Sequence, residues 1–458
     1  MVSLRHLVQE SRATFALAVP LMAGQLSQML MNLMDSAMVG RLGVVPLAAA
    51  AFGNSVVAVP TLIGIGLMTA MSVQVSRAHG AGEREETGEM LRHGTVMSIA
   101  VGVLLALGCW SLSGSLRYFG QPAAVTAEAR TYFLALAVSI VPMLAVLALK
   151  QFSESLHHPW PPMLILFGSV PLNGFLNWLM IYGNWRVPPM GLAGAGWATL
   201  IARTIAAAVL WMYVTRARRF VGHAPERWLS RLTRARFAAF LKIGTPGAAM
   251  LLLESSAFSL AAVMMGWLGA VPLAAHQIAL SCAAATFMLP LGLSMATTIR
   301  VGRAAGAKEP VRVRTIGISS LLLAAVIMSG CATLLALGGR VIAGGFVRDP
   351  EVIQIAVKLL FAAAAFQVFD GLQVVAAGAL RGIADVNFPT TFCAIAYWGV
   401  ALPAAYLLAF RLGYGPVGLW FGLLLGLFTA AALLSARFLS RTRAGTLHPS
   451  DRELPVLP

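Results

Sequence analysis

Three carboxylates stand where charge is otherwise excluded. Asp35, Glu254 and Asp370 fall inside long apolar stretches, whereas the other fourteen of the seventeen acidic residues lie in the segments between stretches, at their ends or in the tails. A charge at hydrocarbon depth costs about 2.5 kcal/mol or more, so it persists mainly where it faces a cavity or a partner. The chemistry open to such a group is cation handling: a proton, Na⁺ or a positively charged ligand. The alternative is a hydrogen-bonded structural carboxyl, and three in one chain weigh against it. Phe258 follows Glu254 by four residues and Phe366 precedes Asp370 by four, and residues four apart share a helix face. Aromatic faces beside a carboxylate suit a hydrophobic cation through charge and cation–π attraction, although either aromatic alone is equally well explained as core or lipid contact. Asn173 and Asn177 also share a face; two such amides serve as interhelical glue or as carbonyl ligands to an ion. Glu254 and Asp370 are expected to face each other, and two carboxylates close together in low dielectric cannot both stay ionised cheaply.

The elements that must position these groups follow from composition. The chain has 458 residues, 59% of them hydrophobic and 11% charged, with a mean hydropathy of +0.80. Soluble domains carry about 25% charged residues. The apolar residues come in blocks of twenty or more, near 13–37, 47–73, 91–113, 131–153, 160–183, 191–215, 238–264, 272–299, 315–338, 353–378, 388–410 and 415–437. Blocks of that length read as membrane-spanning helices. This pattern excludes a soluble enzyme, a disulfide scaffold and a disordered chain. The net charge of +16 lies in the short segments between blocks, where it points to anionic lipid rather than nucleic acid. Starting inside, 24 cationic residues fall on the inner side and 8 on the outer, with Arg203 left within a span. The asymmetry places both termini in the cytoplasm of a multi-pass protein of the cell (inner) membrane. The first block, beginning near Ala13, is too long for a cleavable signal core. Cys109, Cys282, Cys331 and Cys393 all lie in apolar blocks and read as small packing residues.

The chain also matches itself. At an offset of 226, Pro20–Glu83 aligns without gaps to Pro246–Glu309 with 23 identities in 64 positions, among them Gly40/Gly266, Gly43/Gly269 and Arg77/Arg303. Six spans per half is even, so the halves are parallel repeats, which usually rock about a central site. The expected division is a lobe over 1–215, a basic cytoplasmic linker over 216–237, a second lobe over 238–438 and a cytoplasmic tail over 439–458. Glu254 aligns with Gln28 and Asp35 with Ala261, so each lobe carries its own polar equipment. Pro20 and Pro246 occupy matching positions; proline removes a backbone bond and kinks a helix, which makes both candidate hinges. His276 reads as a structural histidine, and the 21 methionines as filler or as the lining of an adaptable pocket. No nucleophile–base pair and no Gly-Lys-Ser/Thr phosphate loop occurs, so neither an enzyme nor an ATP-driven pump is expected.

The stretches Asp35-Ser-Ala-Met-Val-Gly-Arg-Leu-Gly43, Leu273-Ala-Ala-His-Gln-Ile278, Pro290-Leu-Gly-Leu-Ser-Met-Ala296 and Gly378-Ala-Leu-Arg-Gly382 together resemble the multidrug and toxic compound extrusion (MATE) family. Glu254 with Asp370 resembles its NorM-type bacterial branch. The resemblance, from about Pro20 to Trp420, implies an all-α fold of twelve transmembrane helices in two pseudo-symmetric six-helix bundles. It implies a monomer without a resident cofactor that exports organic cations in exchange for Na⁺ or H⁺. It matches Glu254 and Asp370 to the cation-site acids of the C-lobe, and Asp35, Asn173 and Asn177 to the polar cluster of the N-lobe. Two departures stand out: Ser281, where asparagine is common, and Phe366, where Na⁺-coupled relatives carry tyrosine. Phe366 brings no hydroxyl to a Na⁺ at Glu254 and Asp370, which turns the expectation there toward the proton. The competing reading is a flippase of lipid-linked precursors. Such a protein needs basic groups for pyrophosphate, and Arg203 is the one mid-span basic residue against three acids.

Overall fold

A computed structural model describes residues 4–223, 225, 228 and 231–443. Among them the protein forms twelve helices long and apolar enough to cross a membrane, and no strand. These are α1 (Leu4–Gly40), α2 (Val44–Gly80), α3 (Arg84–Phe119), α4 (Ala123–Ser155), α5 (Trp160–Tyr182), α6 (Gly191–Arg216), α7 (Arg234–Trp267), α8 (Ala270–Gly306), α9 (Pro310–Phe346), α10 (Pro350–Gly382), α11 (Asn387–Arg411) and α12 (Gly415–Arg441). In hydrocarbon every backbone group must be satisfied within the protein, and a helix does this locally. The helices outrun the apolar blocks: α7 takes in residues 234–237 of the expected linker, and α12 reaches Arg441 of the expected tail. Residues 444–458 of the tail, and Ala224, Glu226, Arg227, Leu229 and Ser230 of the linker, lie outside the described residues. Large apolar side chains such as Leu104, Leu337 and Val341 are exposed, as lipid contact requires.

The repeat is visible in the turns. Gly43 and Gly269, each with φ of 120°, open α2 and α8, in a conformation that only glycine adopts without strain.

Two compact units form, and they are not simply the two halves of the sequence. Unit 1 holds residues 4–22 and 249–443; unit 2 holds 23–248. Helices α1 and α7 therefore each pass from one unit to the other, at Met22 and Ala248, two residues beyond Pro20 and Pro246. In unit 1, Leu17, Ala18, Leu21 and Met22 pack in one cluster with Leu293, Ala296, Ile299, Val374 and Val375. The close approaches are the same in both units. A Cβ on Gly292 would lie 2.7 Å from the backbone nitrogen of Met22, and one on Gly66 would lie 2.2 Å from the Cα of Ala248. Gly66 and Gly292 are equivalent in the repeat, as are Met22 and Ala248. Glycine at both places lets one helix seat directly on the other.

Candidate functional site

Unit 2 brings its expected residues together. Asp35, on the carboxyl-terminal half of α1, accepts a hydrogen bond from Asn177 Nδ2 at 2.6 Å and one from Thr199 Oγ1 at 3.4 Å. Asn177 Nδ2 also donates to Asn173 Oδ1 at 3.1 Å, so the two amides of α5 line up on one face and the nearer one reaches the carboxylate. Asn173 and Asn177 are fully buried. Arg203, the mid-span arginine, follows Thr199 by four on α6, donates to Ser139 Oγ at 2.8 Å and lies within electrostatic reach of Asp35. Tyr132 is in that field too and donates to Asn54 Oδ1 at 3.3 Å.

Unit 1 is built differently. Glu254 on α7 and Asp370 on α10 lie within each other's electrostatic reach. Phe258 and Phe366, each four residues from its carboxylate, meet edge to face with ring centroids 6.0 Å apart. Tyr397 extends the wall at 6.2 Å from Phe258, and Trp420 at 5.4 Å from Phe366. The Tyr397 hydroxyl donates to Glu254 Oε1 at 3.1 Å, and the neighbouring Trp398 indole donates to the Leu253 carbonyl at 3.3 Å. Both lie in Ile395–Ala401, where α11 widens into a π-helical turn. The wider turn narrows the angle between consecutive side chains, so two in a row reach α7. Asp370 has no hydrogen-bond partner among the described residues. Its helix neighbours Gln367 and Gln373 are fully buried; the Gln367 amide has no partner among the described residues, and the Gln373 amide lies beside the Cys393 thiol. A buried amide left unpaired costs about 1–3 kcal/mol, so Gln367 is open to a water or a ligand. His276 accepts from the Trp420 indole at 3.1 Å, a packing role.

Several of these groups escape a reading that searches for charge. Tyr397, Thr199, Gln367 and Gln373 are neutral, and neutral polar residues are ordinary in spans. Glu154 reads as a residue beyond the fourth apolar block, yet it is buried in α4, 3.7 Å from the buried Lys150; the helix runs on to Ser155, past the end of the block.

In the last turn of α2 and just beyond α4 and α6, unit 2 gathers histidines. The His79 ring is 5.7 Å from His223 and 6.3 Å from His157, and His158 packs edge-on against Phe220 at 5.7 Å. Burial holds His158 and His223 below the usual histidine range; the charges of Arg219 and His223 add to this at His158, and that of Arg84 at His223.

Comparison with known proteins agrees with this architecture. The MatE family model matches residues 20–179 and 246–407, one stretch in each half. Proteins named "Probable multidrug resistance protein NorM" are similar along nearly the whole chain. Those of Bradyrhizobium diazoefficiens (36% identity, 94% of each chain) and Mesorhizobium japonicum (36% identity, 95% of each chain) are examples. Among solved structures, an outward-facing multidrug resistance MATE family transporter of the MOP superfamily superposes with a TM-score of 0.88 at 20% identity, over 95% of this chain and 96% of that one. The eukaryotic MATE transporter AtDTX14 superposes with a TM-score of 0.85 at 22% identity, over 96% and 99%. With both halves matched and the identity sustained from end to end, the chain belongs to the MATE family of membrane transporters.

Proposed function

We propose that the protein is a multidrug efflux antiporter that exchanges H⁺ or Na⁺ for amphipathic organic cations leaving the cytoplasm. One observation carries the reading: Glu254 and Asp370 share a site walled by Phe258, Phe366, Tyr397 and Trp420. Two carboxylates, of which only Glu254 has a hydroxyl donor, call for a positive partner, and the aromatic faces select one with apolar bulk. Competition for the same carboxylates makes drug and ion displace each other, and reciprocal linkage makes the displacement equal in both directions. The names of the NorM relatives agree with drug efflux. The proton is favoured over Na⁺ because Phe366 offers no oxygen and the Tyr397 hydroxyl goes to Glu254 rather than to Asp370. Asp35 with Asn173 and Asn177 forms the second polar site, and Pro20 and Pro246 are the bending points of α1 and α7. The protein works as a monomer in the inner membrane, with both termini and the 216–237 linker in the cytoplasm.

Ethidium accumulation by everted vesicles tests the exchange. An acid lumen should drive uptake and a Na⁺-loaded lumen at equal pH should not. Uptake driven by neither gradient would overturn the antiport reading, and uptake driven by Na⁺ alone would replace the proton. Single cysteines in the linker should resist labelling from outside intact cells; efficient labelling would reverse the orientation.

A further inference from the structure

The internal repeat conserves most of what it matches, but at one contact it inverts the charge of both partners. Glu10 precedes Pro20 by the ten residues that separate Arg236 from Pro246, and Glu86 follows Glu83 as Arg312 follows Glu309. All four positions therefore stand at the offset of 226. In unit 1, Glu10 accepts from Arg312 Nε at 3.0 Å and, through its other oxygen, from Arg300. In unit 2, Arg236 donates to Glu86 at 2.6 Å and 3.2 Å and to Glu89 at 3.2 Å. The contact of α1 on α9 through Arg312 is thus the equivalent of that of α7 on α3 through Glu86, with both signs reversed, whereas the second partners, Arg300 and Glu89, align with the neutral Gln74 and Thr315.

Local helix energetics do not explain the reversal. The start of a helix favours acidic side chains and disfavours basic ones. Helix α3 obeys, with Glu85 and Glu86 in its first turn; α9 has no acid there and carries Arg312 instead. Arg312 is met there by two acids, Glu309 at 3.0 Å on its own helix and Glu10 at 3.0 Å on α1, and only the second contact depends on how α1 docks.

Apolar packing has no means of choosing a partner here, because the two docking faces are near copies: Gly66 receives Ala248 as Gly292 receives Met22. If each amino-terminal half docked within its own half of the sequence, Glu10 would meet Glu86 and Glu89, and Arg236 would meet Arg312. Both contacts would be repulsive. We propose that Glu10 and Arg236 are positioning residues whose opposite charges select the exchanged docking of residues 4–22 and 234–248. They thereby set the path of the two helices that carry Asp35 and Glu254. This selection operates by repelling the wrong arrangement as much as by attracting the right one, and it stands whether or not those carboxylates bind the coupling ion.

The test exchanges the charges. Cysteines replacing Arg12 and Val311, joined by a short bifunctional thiol reagent, report the exchanged docking; cysteines replacing Arg12 and Glu85 report the other. Glu10→Arg combined with Arg236→Glu should lower the first cross-link about fivefold and reduce the melting temperature, the scale set by partly buried ion pairs. Adding Glu86→Arg and Arg312→Glu, with Arg300→Gln and Glu89→Gln to remove the second partners of the original charges, should restore both readouts. A double variant that keeps the native cross-link and melting temperature would overturn the proposal. So would a sixfold variant that fails to restore them.

Discussion

In unit 2 a single carboxylate, Asp35, is met by two neutral donors, Asn177 and Thr199, with Arg203 in its field. In unit 1 Glu254 has one donor, Tyr397, and Asp370, within electrostatic reach of it, has none among the described residues; aromatic rings pack around Tyr397. The difference is one of electrostatic demand. A lone charge given one short hydrogen bond, one long one and a nearby guanidinium is partly compensated by the protein itself. A pair of carboxylates with one donor is compensated less. The two units thus hold unlike sites, one partly supplied from within and the other with a larger electrostatic deficit.

The comparison breaks first if unit 1 proves dispensable. Glu254→Gln combined with Asp370→Asn should lower ion-driven drug exchange about 100-fold, the scale of removing buried charge partners, while the protein still purifies in folded form. Normal exchange in that variant would end the shared-carboxylate mechanism. Next comes Asp35→Asn, which should abolish drug resistance without loss of folded protein from the membrane. Because unit 1 is intact there, drug binding to the purified variant should still respond to pH; loss of that response would show that the two sites are not separable. A smaller effect is expected from Tyr397→Phe. Losing one hydrogen bond to a carboxylate is worth about 1.5–3 kcal/mol, so the ion concentration that half-displaces drug should shift roughly tenfold, whereas Tyr132→Phe in unit 2 should leave it unchanged.

The smallest effect concerns the histidines of unit 2. His158 and His223 are held below their ordinary range mainly by burial, so the folded state binds fewer protons than the unfolded chain. Their contribution to stability is complete above the unfolded value, about 6.5, and falls as the pH drops through that value toward the lower folded one. The protection of amides over residues 217–223, after division by the intrinsic exchange rate at each pH, should therefore fall between pH 7.5 and 5.5 (a range of about two units around that value). His223→Gln should flatten the response. A pH-independent protection factor in the wild type would count against it.

The three carboxylates were legible in the sequence because charge within an apolar stretch is costly and therefore rare. Asn173 and Asn177 were legible because four-residue spacing gives a common face. The spans were legible too, since a hydrocarbon interior imposes helix length directly. Tyr397, Gln367 and Gln373 were not, for a hydroxyl or an amide in a span carries too small a penalty to stand out. The exchange of α1 and α7 between units was also hidden. A repeat shows which residues are equivalent, but Leu17 and Leu21 satisfy the same apolar pattern whichever bundle they meet; only the opposite signs of Glu10 and Arg236 distinguish the two.

The division of α1 between units also sets an order of assembly. A chain leaves the ribosome from its amino terminus, so residues 4–22 enter the bilayer long before α8, α9 and α10 have been made. Leu17, Leu21 and Met22 then have lipid where Leu293, Ile299 and Val374 will later stand, and Glu10 and Thr14 await the guanidinium of Arg300. Unit 2 closes earlier, once residues 234–248 emerge to fill the place beside Gly66. A nascent chain arrested before α10 should accordingly contain every residue of α1 and still leave its first half undocked. Residues 4–22 find their place only after α8, α9 and α10 have been made.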